Sequence, residues 1–368
     1  MADRIPLIEP VVGDDELENV KSVLESGYMT QGPYAQEFEE KFSELTGADH
    51  SITATSCTTG LELALEALDV GPGDEVIVPD YTHPASANAV AHVGAEPVLV
   101  DVDRRTYNID LDAAAAAVTE DTAAAIPVSW GGQPLDADAL YDAVGDDVPV
   151  VEDAACSVGA TYEGTPVGDQ FDASVFSFHP RKVIATGEGG MVTTSDADLA
   201  NEMRSIKNFG TDPTAEGIEF VRADSTNLRL SDVLASIGVA QLEKRDEILS
   251  RRWELAANYD ELLAEVDGVI PPAVIDGGKH NYQSYCVYVE AGDEDFRDEL
   301  IQILDDENIE SQIGTYALHR TQAFADTKRV GDLTNSTALF HNLLTLPMAH
   351  SMSGTDQRHV VETLEDAL

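Results

Sequence analysis

Basic residues are scarce in this chain of 368 residues. Only 21 lysines and arginines face 69 aspartates and glutamates, which gives a formal net charge of −48. Nucleic-acid partners are therefore disfavoured, because no basic stripe is available to meet phosphates. The acidic residues are spread along the chain, and self-repulsion of this size predicts adaptation to very high salt, where the Debye length falls to about 3 Å. An ordinary acidic enzyme is the alternative interpretation.

Cysteines and long apolar runs are also lacking. Cys57, Cys156 and Cys286 are odd in number and form no Cys-x-x-Cys pair, so we expect neither a disulfide framework nor a zinc site, and we predict no metal. No run of about 18 apolar residues is present to span a bilayer. The first residues lack the apolar segment of a signal peptide. The sequence therefore predicts a soluble, cytoplasmic protein without membrane insertion.

Length and patterning predict an α/β fold with two domains. Hydrophobic residues make up 43% of the chain, enough to build a large core. Strand-like and helical segments alternate through the first part, which indicates βαβ units and a mostly parallel sheet. A long helical pattern then leads into a mixed α+β part. We therefore predict a large α/β domain over residues 1–245, which includes N-terminal helices, and a small C-terminal α+β domain over residues 246–368.

The individual elements follow from the spacing of apolar residues. Helical spacing predicts a helix that ends near residue 94 and helices over 14–26, 34–45, 61–68, 111–118, 231–260, 294–306, 336–344 and 354–368. Short apolar or alternating runs predict strands over 51–55, 75–78, 97–100, 123–128, 148–151, 173–176, 191–194 and 282–289.

One lysine of the seven in the chain lies between two predicted strands. Lys182 belongs to the segment Ser177–Gly190, in which hydroxyl and imidazole side chains precede the lysine and glycines follow it. A lysine amine becomes a useful nucleophile when burial or a nearby cation lowers its pKa, and Schiff-base formation with an aldehyde is its main use. A surface lysine in a β-turn is the alternative interpretation.

Three further sites have polar residues at the ends of strands. After the strand over 51–55, Ser56–Gly60 could aim N–H groups and hydroxyls at an anion, although a plain helix N-cap is the alternative. Asp153 follows the strand over 148–151, where α/β proteins bind ligands; it could keep a pyridinium nitrogen protonated, or it could cap a helix. His83 could stack on a flat ring, or it could be a turn histidine bonded to the backbone.

Taken together, these motifs resemble the DegT/DnrJ/EryC1/StrS family of sugar aminotransferases over nearly the full length of the chain. The resemblance implies the pyridoxal-phosphate (PLP) transferase fold type I, which is like that of aspartate aminotransferase, with a large, mostly parallel sheet of the seven-stranded type. Any one motif would be weak, but all occur in the family's order. They are Gly27–Pro33, Gly71–Pro79, Asp101–Asp103 with Tyr107–Asp110, Glu152–Ala155 and Ser177–Gly190.

The resemblance also implies a role for each matching residue. Lys182 would form the Schiff base with PLP, and Asp153 would pair with its pyridinium nitrogen. Ser177 and the amides of Thr58 and Thr59 would bind the phosphate, and His83 would stack on the ring. Asn227 and Arg229 would reach the phosphate in the neighbouring subunit of a homodimer with shared sites. Residues expected to contact the substrate are Tyr28, Thr30, His179, Tyr316 and His319.

Three positions depart from the family's pattern. Cys156 stands where the family has glutamine or histidine beside the ring hydroxyl. Ser129 replaces a histidine, and Ser225-Thr226 replace Gly-Tyr before the asparagine. The lysine and the aspartate are intact.

The resemblance implies a transaminase. Lys182 would release the aldehyde to glutamate and then move a proton, glutamate would leave as 2-oxoglutarate, and the nitrogen would pass to C3 or C4 of a nucleotide-linked keto-sugar for surface polysaccharide or glycan biosynthesis. One alternative is a sugar dehydratase of the same fold, but such relatives replace the lysine with histidine. The other is a non-catalytic regulatory or ligand-binding relative.

Overall fold

The structure is a computed structural model that describes residues 4–290 and 294–368. Within those ranges the chain forms eleven α-helices: α1 (Asp14–Ser26), α2 (Pro33–Thr46), α3 (Cys57–Ala67), α4 (Pro84–His92), α5 (Leu111–Ala117), α6 (Ala137–Val144), α7 (Ala197–Ile206), α8 (Asp232–Leu263), α9 (Glu294–Asp306), α10 (Thr334–Asn342) and α11 (Gly354–Ala367). In the same part of the chain, no helix combines the length and the apolar character that crossing a bilayer requires.

The strands of the described ranges include several of only two residues. They are β1 (His50–Ala54), β2 (Glu75–Pro79), β3 (Tyr81–Thr82), β4 (Glu96–Val100), β5 (Thr122–Ala125), β6 (Val151–Asp153), β7 (Thr161–Tyr162), β8 (Thr165–Pro166), β9 (Ala173–Ser177), β10 (Gly190–Thr194), β11 (Val269–Ile270), β12 (Gly278–Lys279), β13 (Tyr285–Val289), β14 (Gln312–Ile313), β15 (Tyr316–Ala317) and β16 (Leu343–Leu346).

Two hydrogen-bonded groups of strands lie side by side in the first part of the chain. One has the order β4-β2-β5 and is parallel, and the other has the order β1-β10-β9-β6. Parallel bridges from Ala125 to Val150 and from Val128 to Asp153 join the two groups. Because β10 is antiparallel to both β9 and β1, it alone among these seven strands runs the opposite way. The carboxyl ends of the other six therefore lie at one edge.

Helices cover both faces of this sheet, and the alternation of strand side chains explains why. In β2, Val76 and Val78 pack into a core with α3, α4 and α7, whereas Ile77 packs with α5 and α6 on the other side. In β9, Val175 joins the first core and Phe176 joins a third core with α2 and α8. Successive residues of a strand point to opposite faces, so strands that are buried on both sides read as continuous apolar runs.

The C-terminal part builds a second sheet with its own core. Antiparallel strands in the order β11-β13-β16-β14 pack with α8, α9 and α11 around buried residues that run from Leu255 to Leu364. Ile5 from the N-terminus joins this core, whereas Leu318 returns to the first one. The separate cores support our proposal of two domains, and the proposed boundary at residue 245 falls inside the continuous helix α8.

Most predicted elements are confirmed, and several differ in their bounds; the strand predicted over 123–128, for example, occupies Thr122–Ala125. The helix predicted over 61–68 begins at Cys57, because Ser56 caps it there. The strand predicted over 148–151 occupies Val151–Asp153, and the strand predicted over 282–289 begins at Tyr285. The helix predicted over 336–344 ends at Asn342, where Leu343 turns to extended backbone and begins β16. Helices α6 and α7 were not predicted.

Candidate active site

Lys182 lies in the loop that follows β9 at the carboxyl edge of the sheet; we call this loop, residues 178–189, the lysine loop. Its N–H donates a hydrogen bond to the carbonyl of His179 at 2.8 Å, and its Nζ donates to Sγ of Cys156 at 3.0 Å. The lysine therefore stands in a turn, as the alternative interpretation proposed, but its side chain is half-buried and not that of a fully exposed surface lysine. Burial acts to lower the pKa of Lys182, but Cys156, Cys57 and Asp153 outweigh burial and raise that pKa above its ordinary value.

Asp153 ends β6 and is 5% exposed. Its Oδ2 accepts a hydrogen bond from Oγ of Ser86 at 2.7 Å, and its Oδ1 accepts from the N–H of Ala155 at 3.2 Å. The segment after Asp153 forms turns, and the structure has no helix there. The alternative interpretation of Asp153 as a helix cap is therefore wrong, and a buried carboxylate remains beside the lysine loop.

The charges of Lys182 and Asp153 act on the same two groups. Burial lowers the pKa of His83, Lys182 and His179 lower it further, and Asp153 opposes them. Burial also raises the pKa of the Cys57 thiol; Asp153 adds to that effect and Lys182 opposes it. The Cys57 sulfur lies 3.8 Å from Oδ1 of Asp153. The fold therefore brings the predicted amine and carboxylate into one cluster, although 29 residues of sequence separate them.

The start of α3 has the geometry of an anion site, although part of it is already used. Ser56 and Thr59 cap each other: the N–H of Thr59 donates to Oγ of Ser56 at 3.1 Å, and the N–H of Ser56 donates to Oγ1 of Thr59 at 3.0 Å. The N–H groups of Cys57 and Thr58 occupy the first helical positions, where a helix offers no carbonyl. The predicted phosphate contact through the Thr59 amide is therefore corrected in favour of Thr58.

Ser177 lies next to this helix start. It pairs with Gly190 of β10, and a Cβ on Gly190 would stand only 2.4 Å from the carbonyl oxygen of Ser56. A glycine is therefore required for the close approach of β10 to α3. Ser177 is 8% exposed and ends its strand at the same edge as Asp153.

His83 and Tyr316 lie close together beside the sheet edge. His83 caps α4, and its Nδ1 accepts from the N–H of Ala85 at 3.2 Å, so the backbone bond of the turn-histidine alternative is present. Part of its side chain is nevertheless exposed, and the charges of Lys182 and Asp153 reach the part that is covered. Strand β15 pairs Tyr316 with Thr82, which places the 41% exposed Tyr316 next to His83.

The two histidines that were predicted to contact the substrate, His179 and His319, differ in their surroundings. His179 is exposed, and its Nδ1 accepts from the N–H of Arg181 at 3.3 Å. His319 instead has a partner at each ring nitrogen: Asp80 Oδ2 lies 2.7 Å from Nδ1, and Thr337 Oγ1 lies 3.3 Å from Nε2. Asp80 is fully buried. The predicted substrate contact of His319 is therefore not supported, because its ring already ties the strand ends to the C-terminal part.

The Gly27–Pro33 loop and the segment with Asn227 and Arg229 lie side by side. Thr30 forms a bridge with Ser231, and Oδ1 of Asp232 accepts from the N–H of Gly32 at 3.0 Å. Tyr28 is 71% exposed. The side chain of Arg229 donates to Oδ1 of Asn227 at 3.0 Å and to Asn208 at 3.1 Å. Among the contacts of the described residues, none joins Asn227 or Arg229 to Lys182 or Asp153 of the same chain.

Two of the departures from the family pattern have clear partners. Ser129 hydrogen-bonds Glu152, a fully buried carboxyl that also accepts from Ser174 at 2.7 Å. Burial raises the pKa of Glu152 to about 7. Cys156 receives the hydrogen bond of Lys182, as described above. Of the third departure, Thr226 is exposed and Ser225 is half-buried, and among the described residues the buried Oγ of Ser225 has no hydrogen-bond partner.

Several residues of the site were missed by sequence reasoning. Ser86 donates to Asp153, Cys57 lies beside Asp153, and Asp232 accepts a hydrogen bond from Gly32 of the Gly27–Pro33 loop. Ser86 and Asp232 are far along the chain from the groups they contact, so no local pattern identifies them. A signal was available for Cys57, because it stands within the predicted anion-binding segment Ser56–Gly60.

A lysine amine and an aspartate carboxylate at the carboxyl edge of a parallel sheet define a class of enzyme that holds an aldehyde cofactor through the lysine. The chain belongs to the DegT/DnrJ/EryC1/StrS aminotransferase family, whose model matches residues 10–365. This finding confirms the predicted family and enzyme class.

Individual relatives cover almost the whole chain. The spore coat polysaccharide biosynthesis protein SpsC of Bacillus subtilis (strain 168) is 36% identical over 98% of this chain and 96% of its own length. GDP-perosamine synthase of Caulobacter vibrioides is 37% identical over 99% of this chain and 98% of its own. The PLP-form of Spr1654 from Streptococcus pneumoniae superposes with a TM-score of 0.92 at 30% identity, covering 99% of this chain and 98% of that one. The predicted fold type I is therefore confirmed.

Proposed function

We propose that this protein is a PLP-dependent aminotransferase that transfers the amino group of glutamate to C3 or C4 of a nucleotide-linked keto-sugar. The observation that carries the proposal is the cluster of Lys182 and Asp153 at the sheet edge, with Cys57 and His83 inside the field of both charges. The names of the relatives, which include GDP-perosamine synthase, support a nucleotide-linked sugar as substrate.

The chemistry of these donors fits PLP. An amine can hold the aldehyde, a buried carboxylate can hold a ring nitrogen in its protonated form, and a helix start beside Ser177 suits a phosphate. The close approach of Gly190 to Ser56 keeps that helix start next to the lysine loop. When bound, PLP would supply an electron sink for the bond changes at the amino carbon.

The side chains of this protein would then move the proton and hold the cofactor in place. Lys182 would move the proton between carbon positions, which requires that its pKa in the loaded site be close to the working pH. Asp153, fixed by Ser86, would keep its negative charge at the ring nitrogen. Thr58 and Ser177 would bind the phosphate, His83 would contact the ring face, and Cys156 would lie near the ring hydroxyl.

The loop regions support a shared site in a homodimer. The side chains of Asn227 and Arg229 are hydrogen-bonded to each other. The segment that precedes them has exposed apolar residues, among them Ile218 at 84% and Phe220 at 67% exposure. A second subunit would cover this surface, and Asn227 and Arg229 of each subunit would reach the phosphate held by the other. Tyr28, Thr30, His179 and Tyr316 would contact the sugar nucleotide.

A cavity near these loops offers space for part of the substrate. It measures about 340 Å³ and is lined by Gln31 of the Gly27–Pro33 loop together with Arg204, Lys207 and Asn208. Glu39 and Asp212 also line the cavity, and Glu39 accepts a hydrogen bond from Lys207 at 3.2 Å, so the positive charge offered to a nucleotide comes mainly from Arg204. We propose that the nucleotide part of the substrate lies toward this cavity in the dimer.

The cellular setting is part of the same proposal. A role in surface polysaccharide or glycan biosynthesis is supported by the name of the SpsC relative, and we place the protein in the cytoplasm of a salt-adapted cell. The net charge of −48 predicts that the melting temperature rises between dilute buffer and several molar KCl. An unchanged melting temperature and full activity in dilute buffer would contradict the salt adaptation.

The function is tested by the half-reaction with glutamate. We expect protein loaded with PLP and freed of excess cofactor to release about one 2-oxoglutarate per subunit, and Lys182→Ala to release none. Lys279→Ala is the matched control, because Lys279 is exposed and lies over the ring of Trp253. A dehydratase or a non-catalytic relative would release no 2-oxoglutarate in the wild type, and that result would refute the proposal.

A further inference from the structure

One glutamine from the C-terminal part of the chain forms hydrogen bonds with the main chain on both sides of Lys182. Oε1 of Gln283 accepts a hydrogen bond from the N–H of Val183 at 2.9 Å, and Nε2 of the same side chain donates to the carbonyl of Arg181 at 2.6 Å. Gln283 is 6% exposed. A single carboxamide therefore satisfies the backbone groups that flank the lysine, in a place where water has little access.

The neighbouring Asn281 forms hydrogen bonds with the turn after β6, which contains Cys156 and faces the lysine. Its Nδ2 donates to the carbonyls of Cys156 at 2.7 Å and Val158 at 2.9 Å, and its Oδ1 accepts from the N–H of Gln283 at 2.8 Å. Asn281 is fully buried. Because Cys156 accepts the hydrogen bond of Lys182, Asn281 and Gln283 hold the two ends of that contact from one segment.

The segment that contains Asn281 and Gln283 has an unfavourable backbone conformation at the residue between them. Tyr282, between Asn281 and Gln283, has a φ of 53°, a left-handed conformation that is unfavourable for a non-glycine residue. The guanidinium of Arg252, which is 5% exposed, donates to the carbonyl of Tyr282 at 2.8 Å. Such a conformation persists only where the surroundings impose it, so helix α8 fixes the segment that fixes the lysine.

We propose that Gln283, supported by Asn281, is a positioning residue that sets the place of Lys182 by holding its backbone from the C-terminal part of the chain. The inference rests on the proposed function only where catalysis is measured. Its other consequences concern the cofactor-free protein. There, Gln283 contacts the lysine loop directly, whereas Asn281 acts on that loop only through Gln283 and Cys156.

The test compares two near-isosteric substitutions. Gln283→Met removes both hydrogen bonds while it keeps the volume. Gln357→Met is the matched control, because Gln357 is 1% exposed and donates to the carbonyl of Leu255 at 2.8 Å while it accepts from Asn258 at 2.7 Å, within the second core. Both variants should lose stability to a similar degree, so stability alone does not distinguish them.

Two readouts use cofactor-free protein. We expect Gln283→Met to increase hydrogen exchange at the Val183 amide by about tenfold or more, and to increase the rate at which an amine-reactive ester acylates Lys182, measured by mass spectrometry of that peptide. Gln357→Met should change neither. In PLP-loaded protein, we expect Gln283→Met to lower kcat for the glutamate half-reaction by about 10-fold to 100-fold, with a smaller effect on KM.

A milder variant covers the case in which Gln283→Met does not fold. Gln283→Glu keeps an acceptor for the N–H of Val183 and loses the donor to Arg181, so we expect intermediate exchange and acylation rates. Exchange and acylation equal to wild type in the folded variant, or equal changes in Gln357→Met, would overturn the positioning role. The proposed function itself fails on a separate result, namely the absence of 2-oxoglutarate release by the wild type.

Discussion

The Nζ of Lys182 lies 3.0 Å from Sγ of Cys156, and Cys156 follows Asp153 by three residues. This contact joins the loop after β9 to the turn after β6, which are neighbouring parallel strands. The lysine and the aspartate are thereby held at the same edge of the sheet. The cysteine stands where the family has glutamine or histidine. In this chain the group at that position which accepts the hydrogen bond of Lys182 is therefore a sulfur atom.

Removal of the Cys156 thiol should lower the pKa of Lys182. Burial acts to lower that pKa, and Cys156 is the largest influence that raises it. In Cys156→Ala we therefore expect more unprotonated amine at a given pH and several-fold faster acylation of Lys182 near pH 8 in cofactor-free protein. The measurement is the pH profile of acylation, with Cys286→Ala as control. A profile unchanged from wild type would show that the thiol does not act on the lysine.

Substitution of Asp153 should abolish most catalysis while PLP still binds. Asp153→Asn keeps the size of the side chain and removes its charge, so we expect the glutamate half-reaction to slow by about 100-fold or more. Ser86→Ala leaves Oδ2 of Asp153 without its 2.7 Å donor, and we expect a smaller loss of about tenfold. Rapid-mixing measurements of the half-reaction give both rates. A Ser86→Ala loss as large as that of Asp153→Asn would contradict this division of roles.

Glu152 should make stability depend on pH near neutrality. Its pKa is raised from 4.5 to about 7 by burial, so its protonated form is favoured in the folded state. The stability that this group contributes is complete below pH 4.5 and is lost as pH rises through 7, by roughly 3 kcal/mol. Glu152→Gln should therefore gain stability relative to wild type between pH 5 and pH 8, as measured by urea unfolding.

The exposed Glu120 provides the control for that experiment, because Glu120→Gln changes an equal charge at the surface. A stability difference between Glu152→Gln and wild type that is the same at pH 5 and pH 8 would show that Glu152 does not titrate in this window.

The shared site predicts complementation between inactive variants. Lys182→Ala loses the amine, and Asn227→Ala combined with Arg229→Ala loses the groups proposed to reach the neighbouring subunit. Each mixed dimer contains one complete site out of two, so mixed dimers purified through both tags should recover about half of wild-type activity. The measurement is the glutamate half-reaction after co-expression with two affinity tags. Activity no higher than that of the separate variants would contradict a site shared between subunits.

The sequence was sufficient to predict that Lys182, Asp153 and Ser177 lie at one edge of the sheet, because that placement follows from local rules. Asp153 and Ser177 end strands, Lys182 follows one, and the carboxyl ends of parallel strands meet at one edge. The supporting contacts follow no such rule. Gln283 contacts Val183 across 100 residues, and Asn281 contacts Cys156 across 125.

The same limit explains two expectations that the structure does not support. His319 was expected to contact substrate, but a hydrogen bond across 239 residues ties it to Asp80. The amide of Thr59 was expected to meet a phosphate, but it closes the cap with Ser56. In each case a partner that the pattern did not reveal had already taken the polar group.

The central claim is that Lys182, in the cluster with Asp153, holds the cofactor. The most direct measurement is to load the protein with PLP, reduce it with borohydride and map the attached cofactor by mass spectrometry. Among the seven lysines of the chain, the account predicts stoichiometric attachment at Lys182 alone and none in the Lys182→Ala variant. Attachment at another lysine, or no attachment to the wild type, would contradict it.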